Sequence, residues 1–316
     1  MTDSSAPPPP VPDVTPSPPP LTWRAVLRLL GRLPQGALSR GLGNLADAPI
    51  PRPFRTAVLT AFAKAVGIDP AEAERPIRDY GSVNEFFVRR LRPGARTWPA
   101  EPGLASPVDG IVGQVGRIDG GRLIQAKGLD YAAADLLGEA EEADRFEGGS
   151  FITLYLSPRH YHRIHAPVDG TISLARYVPG ALLPVNEPAV RHLRDLFARN
   201  ERLLAHIDGP LGRLALVAVG AYNVGRISAA FDPAWSGTGG MSRRPWVTNR
   251  TEDLPRERRY DDPIPVGRGD EIMAFHLGST VVLLTEPSAG LVLEERCAPG
   301  TEVRLGALLA RPPGGA

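Results

Sequence analysis

The sequence predicts an α+β chain in which a helical N-terminal region leads into a β-rich, pseudo-duplicated domain. Three observations predict it. Helix-start signals crowd the stretch that ends near Leu91. From about Gly103 the texture changes to short β-branched runs separated by glycine and proline. Within this second region a Pro-x-Asp-Gly turn leading into a strand occurs twice, sixty residues apart: Ser106-Pro107-Val108-Asp109-Gly110-Ile111 and Ala166-Pro167-Val168-Asp169-Gly170-Thr171. The echo has two readings. Proline, aspartate and glycine are what tight turns demand, so two unrelated turns would look alike. The other reading is a fold made of two related half-units.

Residues 1–20 hold nine of the 34 prolines and too little apolar side chain to bury, so they are expected to form a disordered, polyproline-like tail. Residues 21–98 form the helical region. Its first segment, 21–33, sets Arg24, Arg28 and Arg32 on one stripe against Trp23, Val26, Leu27, Leu29, Leu30 and Leu33. That pattern suits either a surface helix packed on its own domain or a basic amphipathic helix lying in a lipid headgroup layer. Asp69-Pro70-Ala71-Glu72 reads as a helix start, and Ser82-Val83-Asn84-Glu85 as a second one with a capping box. Residues 99–316 form the β-rich domain, with strands expected at Ile111–Ile118, Phe151–Leu156, Thr171–Val178, Arg213–Val219, Val281–Thr285 and Gly290–Glu294. Helical interruptions are expected around Tyr131–Leu137 and Ala189–Asn200.

Composition narrows the functional classes. The formal charge is +1, which supplies no overall field to hold a nucleic acid, so none is expected as a partner. The single cysteine, Cys297, rules out an intrachain disulfide and a cysteine-based metal cluster. Only Lys64 and Lys127 could hold pyridoxal phosphate. The longest uncharged apolar stretch, Leu214 to Gly225, is too short to span a bilayer, and residues 1–20 carry neither the basic start nor the apolar run of a secretory signal.

Two places carry chemistry. Three of the six histidines fall in Ser157-Pro158-Arg159-His160-Tyr161-His162-Arg163-Ile164-His165, directly after an apolar strand. They could share a zinc ion if the backbone bends there, could act as acid and base, or could be a surface cluster without function. Further on, Leu277-Gly278-Ser279-Thr280 precedes another apolar strand. A Gly-Ser step is usually a turn. It also places a hydroxyl beside a carbonyl that glycine leaves open, so that Ser279 can attack its own peptide bond once a base removes the proton. A histidine of the cluster could be that base, oriented by an aspartate of a Pro-x-Asp-Gly turn.

Taken together these residues resemble the phosphatidylserine decarboxylases, proenzymes that cleave themselves to make a pyruvoyl cofactor. The resemblance runs from about Leu27 to the C-terminus. It rests on Asn84-Glu85-Phe86-Phe87, Ser106-Pro107-Val108-Asp109-Gly110, Gln125-Ala126-Lys127-Gly128, the histidine segment, Pro184-Val185-Asn186, Val219-Gly220-Ala221 and Gly278-Ser279-Thr280 in that order.

The resemblance implies that Asp109, His165 and Ser279 form the self-processing triad, with Asp109 fixing the His165 tautomer and Asp169 a non-catalytic echo. It implies cleavage between Gly278 and Ser279 and conversion of Ser279 to a pyruvoyl group. That group would form a Schiff base with phosphatidylserine on the way to phosphatidylethanolamine and carbon dioxide. His162, an imidazole in its ordinary range, is the implied proton donor to the carbanion. No metal is expected, and Lys127 is read as a structural or surface cation. Many relatives carry aspartate where this chain has His160. The resemblance also implies large and small chains in the processed enzyme, a homo-oligomer, and peripheral attachment to the cytoplasmic face of a membrane. A lipid substrate favours the membrane reading of segment 21–33. The competing functional readings are a zinc-dependent hydrolase using His160, His162 and His165, and a β-rich binding module that does not process itself.

Overall fold

The computed structural model describes residues 43–126, 128–221, 227–232, 235, 257–276 and 279–314. The tail 1–20, the amphipathic segment 21–33, Lys127 and Gly278 lie outside the described residues.

Helix α1 (Arg52–Val66) starts after Pro51, carries a proline in its first turn, and stops at Gly67, whose φ of 81° is the left-handed geometry glycine accepts without strain. It buries Leu59 and Ala63, one turn apart. The start signal at Asp69 caps as expected, Asp69 accepting from Ala71 N at 2.9 Å, yet it yields a single 3-10 turn, Pro70–Glu72. Ala73 then turns extended to bridge Leu91, and the chain returns only to a second single 3-10 turn, Ile77–Asp79, after Pro76. Helix α2 (Val83–Phe87) is capped by Ser82 Oγ, which accepts from Glu85 N at 3.1 Å. The Glu85 carboxylate reaches back one residue further than a capping box requires, to Gly81 N at 2.6 Å. Phe86 and Phe87 join Leu59, Ala63, Ile68 and Tyr80 in a core belonging to this region alone.

The β-rich part begins with β1 (Leu104–Ala105), β2 (Gly110–Arg117), the hairpin β3 (Arg122–Ala126) and β4 (Leu129–Ala132), helices α3 (Ala133–Leu137) and α4 (Ala140–Asp144), and β5 (Ser150–Leu156). It continues through β6 (Arg163–His165), β7 (Gly170–Val178), α5 (Glu187–His192), α6 (Leu196–Arg199), β8 (Arg202–Gly209), β9 (Gly212–Val219), β10 (Ile227–Ala229), β11 (Glu257–Val266) and β12 (Glu271–Phe275). It ends with β13 (Ser279–Thr285), β14 (Val292–Leu293), β15 (Glu302–Val303) and β16 (Leu308–Arg311). Eight strands make one antiparallel sheet in the order β11-β7-β8-β9-β13-β5-β2-β15, and two three-stranded sheets, β10-β12-β6 and β1-β16-β14, accompany it.

The echo of the two Pro-x-Asp-Gly turns is a duplication of the fold. Asp109 Oδ1 accepts from Leu305 N at 2.8 Å, and Asp169 Oδ1 accepts from Arg268 N at 2.8 Å. Ser106 exchanges backbone bonds with Gly306 and Ala307 as Ala166 does with Gly269 and Asp270. The registers repeat as well: Ile111 opposes Glu302 and Tyr155, while Thr171 opposes Pro265 and Asp208. Leu104 opposes Ala310 as Ile164 opposes Met273. The run β11-β7-β8-β9 is therefore equivalent to β15-β2-β5-β13, and the halves meet where β9 pairs with β13. They also clasp each other through Ala105 N to Pro167 O at 3.1 Å and its counterpart, His165 N to Pro107 O at 2.9 Å. Gly269 and Gly306, with φ of 101° and 84°, flank Trp98; an added Cβ would lie 2.9 Å from its ring at the first and 2.3 Å from Thr97 O at the second.

The halves are nested in sequence. One comprises 104–156 and 279–311, and the other, 163–275, is inserted between β5 and β13. The central strands bury both faces, which is why they read as continuous apolar runs rather than alternating ones. Ile152, Leu154, Leu216, Val281 and Leu283 enter one core, while Phe151, Val217, Val282 and Leu284 enter the core beneath the short helices.

Candidate active site

Ser279 opens β13 directly opposite Leu156, the last residue of β5, and Ser157–His160 form the turn that follows. Strand parity puts Ser279 on the same face as Val281 and Leu283, the face whose core also holds Ile164 of β6 and Phe275 of β12. Phe275 N donates to His162 O at 2.9 Å, which ties the strand before the Gly-Ser step to the histidine segment. Ser279 is fully buried, and its Oγ has no hydrogen-bond partner among the described residues. A buried hydroxyl without a partner is costly, and Thr153 and Thr280 beside it share that state; what sets Ser279 apart is its place directly after Gly278. Thr280 faces the opposite side, where with Thr153, Tyr155, Gln125 and Phe197 it lines a cavity of about 480 Å³.

The three histidines follow from the same turn but do different things. His160 Nδ1 accepts from Ser157 N at 3.0 Å, and its Nε2 lies 3.5 Å from Glu302. Burial lowers its pKa, against the opposing pull of Glu302 and Asp109. His162 is wholly buried, with its ring 4.2 Å from the Phe87 ring. Its Nδ1 lies 2.8 Å from His160 O, and a carbonyl only accepts, so Nδ1 carries the hydrogen and Nε2 the lone pair. Burial drives the His162 pKa down to about 3. The expected resident proton donor is thus a neutral imidazole with an unengaged basic nitrogen among the described residues. At neutral pH it has to take up a proton before it can deliver one.

His165 lies at the end of β6, with Nδ1 2.7 Å from Gly269 O and Nε2 3.2 Å from the Tyr161 hydroxyl. It opens into a cavity of about 400 Å³ lined also by Arg90, Arg96, Trp98, Tyr161 and Glu271. Burial lowers its pKa, so it too is neutral, with the basic lone pair on Nε2. The structure corrects the expected contact to Asp109: the group that fixes the His165 tautomer is Gly269 O. Asp109 is engaged elsewhere, by Leu305 N and by Arg96, which reaches its two oxygens at 2.9 and 2.5 Å. Burial alone would raise the Asp109 pKa, but the Arg96 guanidinium and the Leu305 N–H hold it below the ordinary carboxylate value. Arg96 also grips Glu72 at 3.0 and 2.8 Å, so one side chain ties the helical region to the catalytic turn. Asp169, the equivalent residue of the other half, is exposed.

Arg96, Tyr161 and Gly269 were not legible as site residues. Nothing in sequence spacing relates Arg96 to Asp109 or Gly269 to His165: Gly269 is brought in by the β6–β12 ladder, and Arg96 by the segment that precedes β1. Gln125, by contrast, proves structural: its Nε2 donates to Val190 O and Leu193 O and its Oε1 accepts from Leu196 N, which fixes the α5–α6 turn. Among the described residues no three His, Cys, Asp or Glu side chains are placed to share a metal ion, which leaves the zinc reading without a ligand set.

A sequence profile of the phosphatidylserine decarboxylase family matches residues 83–311. The phosphatidylserine decarboxylase proenzyme of Anaeromyxobacter sp. (strain K) is 48% identical over 297 residues, covering 93% of this chain and 99% of the relative. The proenzymes of Myxococcus xanthus (strain DK1622) and Brevibacillus brevis (strain 47) are 44% and 43% identical over 262 and 263 residues, covering 83% and 82% of this chain and 89% and 88% of theirs. The matched span contains both halves of the duplicated fold, the histidine segment and Ser279, and the chain belongs to the phosphatidylserine decarboxylase family.

Proposed function

We propose that this chain is a proenzyme that cleaves itself between Gly278 and Ser279 and then decarboxylates phosphatidylserine to phosphatidylethanolamine. The observation that carries the reading is the buried Ser279 hydroxyl without a partner, at the point where the chain passes from the inserted half back into its host. In the first step Ser279 Oγ adds to the Gly278 carbonyl carbon while its proton passes to His165, whose Nε2 carries the basic lone pair. The peptide C–N bond breaks, leaving an ester on Ser279 and its nitrogen as an amine. Loss of the Cα proton expels the residue-278 carboxylate and leaves dehydroalanine; water then replaces nitrogen, ammonia departs, and a pyruvoyl group remains.

The residues present fit that outcome, since Ser279 has a buried side chain free to react and no lysine is required. When formed, the pyruvoyl carbonyl supplies an electron sink for the pair left behind as carbon dioxide departs. His162 presents its unprotonated Nε2 as the atom through which a proton is passed to carbon, while His160 O holds the ring in one tautomer. Arg96 keeps Asp109 ionised beside the His160 ring. The 38-residue piece left by cleavage (316 − 278) stays in place in this reading, because β13 is paired on one side with β5 and on the other with β9.

Intact-mass analysis of purified protein tests the cleavage. The expected products are a 278-residue chain and a 38-residue chain with a blocked N-terminus. An intact 316-residue chain, or an ordinary N-terminal serine on the small piece, would overturn the reading, and the former would favour a binding module.

Peripheral attachment to a membrane is part of the same proposal. Among the described residues no helix is long and apolar enough to cross a bilayer. Leu45, Phe54 and Val58 are nevertheless exposed at 71%, 61% and 42%, the last two one turn apart on α1 with Arg55 between them. That face suits contact with an anionic lipid surface. Liposome co-sedimentation of the full chain against Phe54→Ser/Val58→Ser tests it, with unchanged lipid binding placing the contact elsewhere.

A further inference from the structure

We propose that the cavity of about 210 Å³ between α2 and β6, lined by Arg75, Arg89, Arg90 and Arg163, is a phosphate-binding site that takes the phosphodiester of the lipid headgroup. The inference rests on the decarboxylase reading for its ligand, though not for its chemistry.

The cavity is walled by the four arginines, Val88, Glu74 and Glu85. Three of the guanidiniums have carboxylate partners. Arg75 pairs with Glu85 at 2.7 Å, and Arg90 and Arg163 share Glu271, at 3.2 Å for Arg90. Both Glu85 oxygens are taken, by Arg75 and by Gly81 N. Glu74 stands at the exposed rim. Arg89 is the exception: it is 2% exposed, forms no ion pair among the described residues, and its Nε has no hydrogen-bond partner there. Its one bond is weak, Nη1 to Phe87 O at 3.4 Å.

A purely structural arginine in this protein is built differently. Arg202 is equally buried and also lacks a carboxylate, yet it donates to Leu136 O, Asp135 O, Ala198 O and Asn200 O. Arg202 is satisfied by carbonyls, and Arg89 is not. A buried guanidinium that makes one long bond to a carbonyl, lies 5.7 Å from the Phe86 ring and feels Glu72 and Asp109 only without an ion pair is a poor stabilising device and a good receptor for an anion that arrives later. A fan of planar guanidiniums also matches a tetrahedral oxyanion better than ammonium groups would.

Position supplies the second argument. The Phe87 ring stacks on His162, and Arg89 is two residues beyond it; Arg163 directly follows His162 and donates from Nε to Val88 O at 2.7 Å. Arg90 stands in the wall of this cavity and of the one into which His165 and Tyr161 open, so the two adjoin. An anion seated here lies one layer of side chains from the proposed proton carrier. The substrate offers two anions, and the chemistry selects between them. A carboxylate that must leave as neutral carbon dioxide loses its charge on the way to the transition state, so arginines gripping it would stabilise the ground state. A phosphodiester keeps its charge throughout and can be held without that penalty.

The test is isothermal titration of the full chain with glycerophosphoserine, glycerol 3-phosphate, inorganic phosphate and L-serine, repeated with Arg89→Gln and Arg89→Lys. The phosphate-bearing ligands should bind and L-serine should not, with glycerophosphoserine ahead of inorganic phosphate. Arg89→Gln should weaken binding about tenfold or more, and Arg89→Lys should recover part of it. In turnover, the same variants should raise KM for phosphatidylserine vesicles more than they lower kcat. Inorganic phosphate binding as well as glycerophosphoserine would assign the site to free phosphate and overturn the headgroup assignment. Failure of every phosphate ligand to bind the unmodified chain overturns the site outright, without reference to any variant. Because titration needs no processing, a chain that binds these ligands yet stays uncleaved would sink the decarboxylase reading and leave the phosphate site standing.

Discussion

The Asn84 side-chain amide meets His276 Nδ1 at 3.2 Å, joining helix α2 to the residue two positions before Gly278. The same amide nitrogen donates to Asp47 at 2.7 Å, and His276 Nε2 lies 3.1 Å from Ser228 Oγ. The helical region therefore helps fix the strand that delivers the scissile bond. Asn84→Ala and His276→Ala should slow self-cleavage about tenfold each, read as the ratio of intact to cleaved chain over time after synthesis. Cleavage at the normal rate in both variants would mean that this contact does not position the segment.

His162 and His165 should separate cleanly. His165→Ala is expected to remain a single chain, whereas His162→Ala should process at least in part and lose decarboxylation by about 10²–10⁴-fold. Equal processing defects would remove the distinction between the two roles.

Acid should destabilise the protein through His162. With a pKa near 3 in the fold and an ordinary value near 6.5 when unfolded, the unfolded chain binds the proton first as pH falls. Stability is complete above about pH 6.5 and is lost progressively down to about pH 3, by at most about 4–5 kcal/mol from this group. Asp109, with its lowered pKa, adds a loss of the same sign at the acid end. The Tm of His162→Gln should fall less steeply than that of the unmodified chain between pH 6.5 and 4. Parallel curves would show that His162 does not carry the effect.

The two halves of the duplication should respond unequally at equivalent positions. Asp109→Ala leaves Arg96 buried without one of its two carboxylates, at a cost of about 3 kcal/mol, and should block processing. Asp169→Ala removes one exposed hydrogen bond to Arg268 N, a loss of about 1 kcal/mol, with processing intact. Equal losses of Tm, or a processing defect in Asp169→Ala, would contradict the assignment of Asp109 to the site and of Asp169 as its non-catalytic counterpart.

By itself the sequence determined the composition-bound exclusions, the two α and β regions, most of the central strands and the echo of the two turns. These follow from local chemistry: a capping serine at Ser82, a left-handed glycine at Gly67 and apolar runs such as Phe151–Leu156 act within a few residues of themselves. Local signals also set the limits of that reading. Asp69 caps a helix start that the extended Ala73 and its bridge to Leu91 cut to one turn. The strand Arg202–Gly209 was missed because its polar ends, Arg202 and Asp208, interrupt the expected pattern, while pairing on both sides makes it a strand.

Only the tertiary structure decided which residues meet. It showed that the second half is inserted into the first, so that Ser279 returns beside Leu156 across more than a hundred residues. It gave His165 to Gly269 O and Asp109 to Arg96, and buried His162 deeply enough to make it neutral. Tautomer and charge depend on neighbours brought in by strand pairing and on the loss of water around them, and neither is a property of residue type or spacing.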